Sequence, residues 1–153
     1  MRTVATKNMK TPEKKSDRFA SFALFVANTS MPSSLSPATV VQRQLDTFNT
    51  RDVEALVAIY ADDAELFEHP DKLLAKGTAA LRERYTARFQ EPNLHAALLH
   101  RIVAGDKVID HERVTRTFPE GPGTIELTMI YEVQAGRIAR AWTIPGPKLL
   151  AKA

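Results

Sequence analysis

In the run Ala64-Glu65-Leu66-Phe67-Glu68-His69-Pro70 a carboxylate and an imidazole stand on consecutive residues, Glu68 and His69, at the end of a strand-like segment. These side chains move protons near neutral pH, His without help and Glu once burial raises its pKa. Proton abstraction beside a carbonyl is the chemistry they suit. Neighbouring strand residues point to opposite faces, so Glu68 goes with Leu66 and His69 with Phe67 unless a bulge intervenes. His69 is the expected base or shared acid/base, with Glu68 as the alternative. The third candidate is Gln44, which shares a helix face with Val41, Leu45 and Phe48. A primary amide there must find partners, either sheet backbone or a developing oxyanion that it steadies.

Later histidines and acids are candidates for the pocket wall. His100 shares a strand face with Leu98 and Ile102 by alternation, while Asp110, Glu112 and Arg116 share one with Val108 and Val114, which gives a mixed polar and apolar surface. Tyr60, Phe67, His100, Glu112, Met129 and Trp142 are the expected substrate-binding set. His69, His100, His111 and Glu112 show no metal-ligand spacing, so neither a metal nor a cofactor is expected. With no cysteine in the chain, thiolate catalysis and disulfides are excluded. There is no glycine-rich phosphate loop and no Ser-centred elbow; Gly121-Pro122-Gly123 is hairpin chemistry.

These groups need elements to hold them. Ser36 caps a helix that accepts Pro37 in its first turn and buries Val41, Leu45 and Phe48. Asp52 caps a second, with Val53, Leu56, Val57 and Tyr60 as its buried stripe. A strand from Ala64 to His69 ends at Pro70, and a third helix from about Thr78 buries Leu81, Tyr85 and Phe89. His95–Val103, Lys107–Phe118, Thr124–Gln134 and Arg137–Ile144 are then strand-length runs, broken at Ala104-Gly105-Asp106, Pro119–Gly123 and Ala135-Gly136. In the third of these, Ile125, Leu127, Met129, Tyr131 and Val133 alternate with polar residues, so one face is buried. Three helices followed by a meander predict an α+β fold, a cone-shaped curved antiparallel sheet wrapped over the helices with a cavity at its open end.

At 153 residues and 44% hydrophobic content the chain supports one domain with one core. The net charge of +3 is unevenly placed: residues 1–30 hold six cations and two anions, and the remainder 15 cations and 16 anions. The basic character thus belongs to an extension over residues 1–35, and the body, near neutral, is not built for a phosphate backbone. Phe19–Ala27 is apolar, but Glu13, Asp17 and Ser21 spoil a secretory signal, and no apolar run is long enough to span a membrane. The reading is a flexible basic extension (1–35), one domain (36–147) and a short tail (148–153), in a cytoplasmic protein with no nucleic acid or membrane partner.

Val40-Val41-Gln42-Arg43, Asn49, Val57-Ala58, Tyr60-Ala61-Asp62-Asp63-Ala64, Glu68-His69-Pro70 and Gly77-Thr78-Ala79-Ala80 resemble the first half of a bacterial ketosteroid isomerase. The element order through Trp142 is similar to the wider nuclear transport factor 2-like superfamily, including SnoaL-like polyketide cyclases. The resemblance implies a carboxylate base on the first strand, and an oxyanion hole formed by a helix tyrosine and a protonated aspartate. Here the base position falls on Glu68 or His69, the tyrosine position holds Gln44, and the aspartate position falls at Met129. The resemblance also implies a homodimer packed through the outer sheet faces. The expected activity is cofactor-free proton transfer beside a carbonyl of a small, apolar, cyclic compound, as an isomerase or cyclase. The other class is a non-catalytic ligand-binding or oligomeric interaction domain of the same fold.

Overall fold

Ser36 opens the first helix of the computed structural model, which describes residues 34–152, so the extension lies almost wholly outside the described residues. Helix α1 (Pro37–Thr50) starts where Ser36 Oγ accepts the Thr39 N–H at 3.2 Å, and Pro37 fills a position whose N–H would have no helical partner. It buries Val40, Val41, Gln44 and Leu45 and ends at Arg51, whose φ of 58° is left-handed. The Arg51 guanidinium donates to the carbonyls of Phe89, Pro92 and Leu94, so the residue that stops α1 also fastens it to a distant turn. Asp52 caps α2 (Val53–Val57) by accepting the Ala55 N–H at 2.9 Å, and α3 (Gly77–Arg88) buries Leu81 and Tyr85.

Six strands follow the helices in space: β1 (Tyr60–Glu68), β2 (Lys72–Lys76), β3 (His95–Ala104), β4 (Lys107–Phe118), β5 (Gly121–Gln134) and β6 (Arg137–Leu150), in the order β2-β1-β6-β5-β4-β3. Every pairing is antiparallel except β1 with β6. The α+β architecture of three helices on a curved sheet matches the sequence expectation. Tyr60 opens β1 instead of closing α2, and β2 was not anticipated. β6 also runs past Ile144, so Lys148–Leu150, expected in the tail, pair with Gly123–Ile125. Pro145-Gly146-Pro147 reads as a terminator, yet β1 ends opposite Thr143, and beyond it β6 is an edge where missing N–H groups break no ladder.

Among the register shifts of the sheet, two β-bulges decide where residues singled out from sequence point. In β3, Leu98 pairs with Glu112 and His100 with His111, so Leu99 is an extra residue; in β6, Ile138 pairs with Val133 and Arg140 with Glu132, so Ala139 is extra. Each extra residue reverses the alternation beyond it. The core lies between the inner sheet face and the helices, centred on Tyr60, Tyr131, Leu56, Leu81 and Ile138. Asn49 joins the two layers: its amide donates to the Ala96 carbonyl at 2.9 Å and accepts the Ala96 N–H at 2.8 Å. Among the described residues no helix is long and apolar enough to cross a membrane.

Candidate active site

A cavity of about 200 Å³ remains between the inner sheet face, α1 and α3. The alternation of β5 sets its wall, with Tyr131, Met129, Leu127 and Ile125 in sequence from the closed end outward; Leu45, Phe48, Leu66, Leu74, Leu94 and Val114 make the rest mostly apolar. Such a chamber holds an apolar body, and its few polar groups orient it.

Gln44, Tyr131 and Glu112 supply those groups at the buried end. The Tyr131 hydroxyl donates to Gln44 Oε1 at 3.2 Å, which fixes the amide; its N–H₂ group faces the Tyr60 hydroxyl, where the Gln44 bond opposes the rise in the Tyr60 pKa, and its second N–H is the donor left for a ligand. Behind it the Tyr60 and Tyr85 hydroxyls lie 3.2 Å apart. Burial holds the Tyr60 and Tyr131 phenols well above their ordinary range, so both remain neutral donors. Glu112 is 5% exposed, and its Oε1 is buried without a hydrogen-bond partner among the described residues. Burial raises its pKa to about 7, with the Asp110 charge adding and Arg101 opposing. Asp110 itself is fully buried and gripped by Arg101 through two bonds of 2.7 Å, while Arg101 also donates to Gln42 Oε1 at 2.8 Å. That chain of contacts ties α1 to β3 and β4 beside the cavity.

Of the residues singled out from sequence, Gln44, Glu68, Glu112 and Met129 line the cavity. Tyr60 lies just behind it, reaching it through Tyr85. Glu68 shares the inner face with Leu66, so the choice between Glu68 and His69 resolves by alternation: Glu68 faces inward at the rim, held by Lys72 at 3.2 Å. His69 is exposed in the turn after β1 and is not part of the lining, which corrects its placement as the base. Phe67, on the face opposite Leu66, stacks on Trp142 at 5.8 Å on the outer sheet surface. Trp142 is outside because the Ala139 bulge reverses β6, and His100 is outside because the Leu99 bulge reverses β3; its ring stacks on His111 at 6.1 Å. Phe67, His100 and Trp142 are therefore corrected from pocket to outer face. The sequence reading missed Tyr131 as a site residue, although it lies two positions from Met129 on the same face. It also missed Arg84 and Arg88, whose four-residue spacing on α3 was the available signal.

A curved six-stranded sheet packed on three helices defines the nuclear transport factor 2-like fold. Within it the chain belongs to the SnoaL-like domain family, whose model matches residues 41–141. A cystatin-fold protein from Novosphingobium aromaticivorans superposes with a TM-score of 0.67 at 21% identity, covering 72% of this chain and 98% of that one. A candidate polyketide cyclase from Sinorhizobium meliloti is 28% identical, with a TM-score of 0.59 over 69% of this chain and 93% of its own. The epoxide hydrolase/cyclase-like enzyme SalBIII, of pyran ring formation in the polyether salinomycin, gives 0.66 at 18% identity, covering 76% and 95%. No curated protein matches the chain by sequence.

Proposed function

We propose that this protein is a cofactor-free isomerase- or cyclase-like enzyme that moves a proton beside a carbonyl of an apolar, cyclic substrate. The observation that carries the reading is Glu112, a buried carboxylate with an unpartnered oxygen in an apolar cavity and a pKa of about 7. A group titrating there is ionised often enough to accept a proton and protonated often enough to return it. In the proposed step the substrate C–H bond breaks, its proton passes to Glu112, and the electron pair moves onto the carbonyl oxygen. The Gln44 N–H₂ group, fixed by Tyr131, donates to that oxygen; the protonated Glu112 then returns the proton to another carbon of the enolate. The role first expected of His69 passes to Glu112, with Glu68 positioned at the rim to contact the substrate.

The test is deuterium exchange beside the carbonyl of 2-tetralone in heavy water, followed by NMR, together with isomerisation of a 5-ene-3-oxo steroid followed by enone absorbance. Glu112→Gln is expected to lose about 10²–10⁴ of the rate, the usual worth of a positioned acid/base. The wild-type rate should rise with pH through about 7 as Glu112 ionises. Equal rates in wild type and Glu112→Gln would remove Glu112 from the mechanism. Ketone binding without exchange in either protein would leave a ligand-binding domain.

The proposal extends to a homodimer in the cytoplasm. Phe67, Trp142 and Ile130 lie in register across β1, β6 and β5 and form a half-buried apolar row on the outer face that suits a second copy.

A further inference from the structure

We infer that the cavity's ligand is an organic carboxylate, its apolar body in the chamber and its carboxylate on Arg84, Arg88 and Arg116 at the neck. This rests on the cavity assigned above and adds the charge of what enters it. Arg84 and Arg88 come from successive turns of α3, Arg116 comes from β4, and all three line the cavity. A second, open hollow of about 520 Å³ runs over α3 and shares Leu74, Arg84 and Arg88 with the chamber. The two α3 arginines therefore stand between the chamber and the outside.

The ion pairs at this neck leave one of the three guanidiniums without a carboxylate among the described residues. Glu91 bonds both Arg88 and Arg116 at 2.7 Å, while Arg84 makes no ion pair among the described residues. Glu68 is occupied by Lys72. Glu112 lies deeper, opposite Leu127, and is protonated part of the time near neutrality. Three guanidiniums thus share one bonded carboxylate, Glu91, while Glu83 lines the outer hollow and makes no ion pair among the described residues. Like charges four residues apart on a helix repel, and burial together with Arg84 lowers the pKa of Arg88. Guanidinium forks match a planar carboxylate through paired N–H···O bonds, and the surrounding apolar wall strengthens such bonds by excluding water.

The experiment measures binding of 2-naphthoate and its neutral isostere 2-naphthamide by calorimetry at low ionic strength, in the full chain and in Arg84→Gln. Naphthoate is expected to bind about tenfold more tightly, a gain typical of one charge-assisted contact. Arg84→Gln should remove most of that preference without changing naphthamide affinity. Added salt should weaken naphthoate alone. Equal affinities, or a preference untouched by Arg84→Gln, would overturn the inference while leaving the cavity as a small-molecule site. Failure of both probes to bind at millimolar concentration would overturn the inference and the proposed function together.

Discussion

Glu112 holds its proton more tightly in the folded protein than in the unfolded chain, and this makes its chemistry visible in stability. The unfolded carboxyl ionises near 4.5 and the folded one near 7, so between those values the unfolded state binds fewer protons and stability falls as pH rises. The loss is absent below the unfolded value, complete above the folded one, and totals about 3 kcal/mol at 1.36 kcal/mol per pH unit. Glu112→Gln is therefore expected to be more stable than wild type in urea at pH 8 and nearly equal to it at pH 4. A uniform difference at both pH values would mean that burial does not shift this carboxyl. Gln44 makes a separate prediction. Gln44→Leu should lower deuterium exchange about 10²-fold, as loss of an oxyanion donor does, while leaving ketone affinity within a few-fold. Gln44 was legible because an amide on an apolar helix face is conspicuous, and Glu112 was expected at the pocket wall, though as a binding group and not as the proton carrier. Its importance comes from burial, which depends on what α1 and α3 lay over it.

The elements were largely legible where hydrophobic period and turn residues agree: α1, α3 and the four later strands fall close to their expected positions. The failures share a cause. Leu99 and Ala139 carry no mark of being bulged residues, and strict alternation through them sends His100 and Trp142 into the pocket. A bulge is fixed by partner strands, which a single chain read in order does not display. The hairpin between β5 and β6 was plainer: Ala135 and Gly136 have φ of 50° and 76°, the paired positive values of a two-residue turn. Ala135→Gly relieves a side chain held in the left-handed region and is expected to raise stability by about 0.5–1 kcal/mol. An unchanged thermal midpoint would argue against strain there. Asn49→Ala strips partners from both backbone groups of Ala96, and denaturant titration should show a loss of about 2 kcal/mol.

For the molecule as a whole, the class of fold followed from element order, but the outer sheet face is where copies would meet. If the row of Phe67, Trp142 and Ile130 is the dimer contact, sedimentation of wild type will give twice the chain mass and Trp142→Glu the single mass. A wild-type monomer at micromolar concentration would dismiss the interface. The strand order carries one more implication. β6, the last element, lies between β1 and β5 and brings Thr143 and Pro145 to the chamber wall. While the chain is being synthesised, the β1–β2 hairpin therefore has no sheet to join until residues 137–150 have left the ribosome. Joining the β1–β2 hairpin to the β3–β4–β5 meander is thus the most non-local pairing in the sheet, the kind of contact that slows folding.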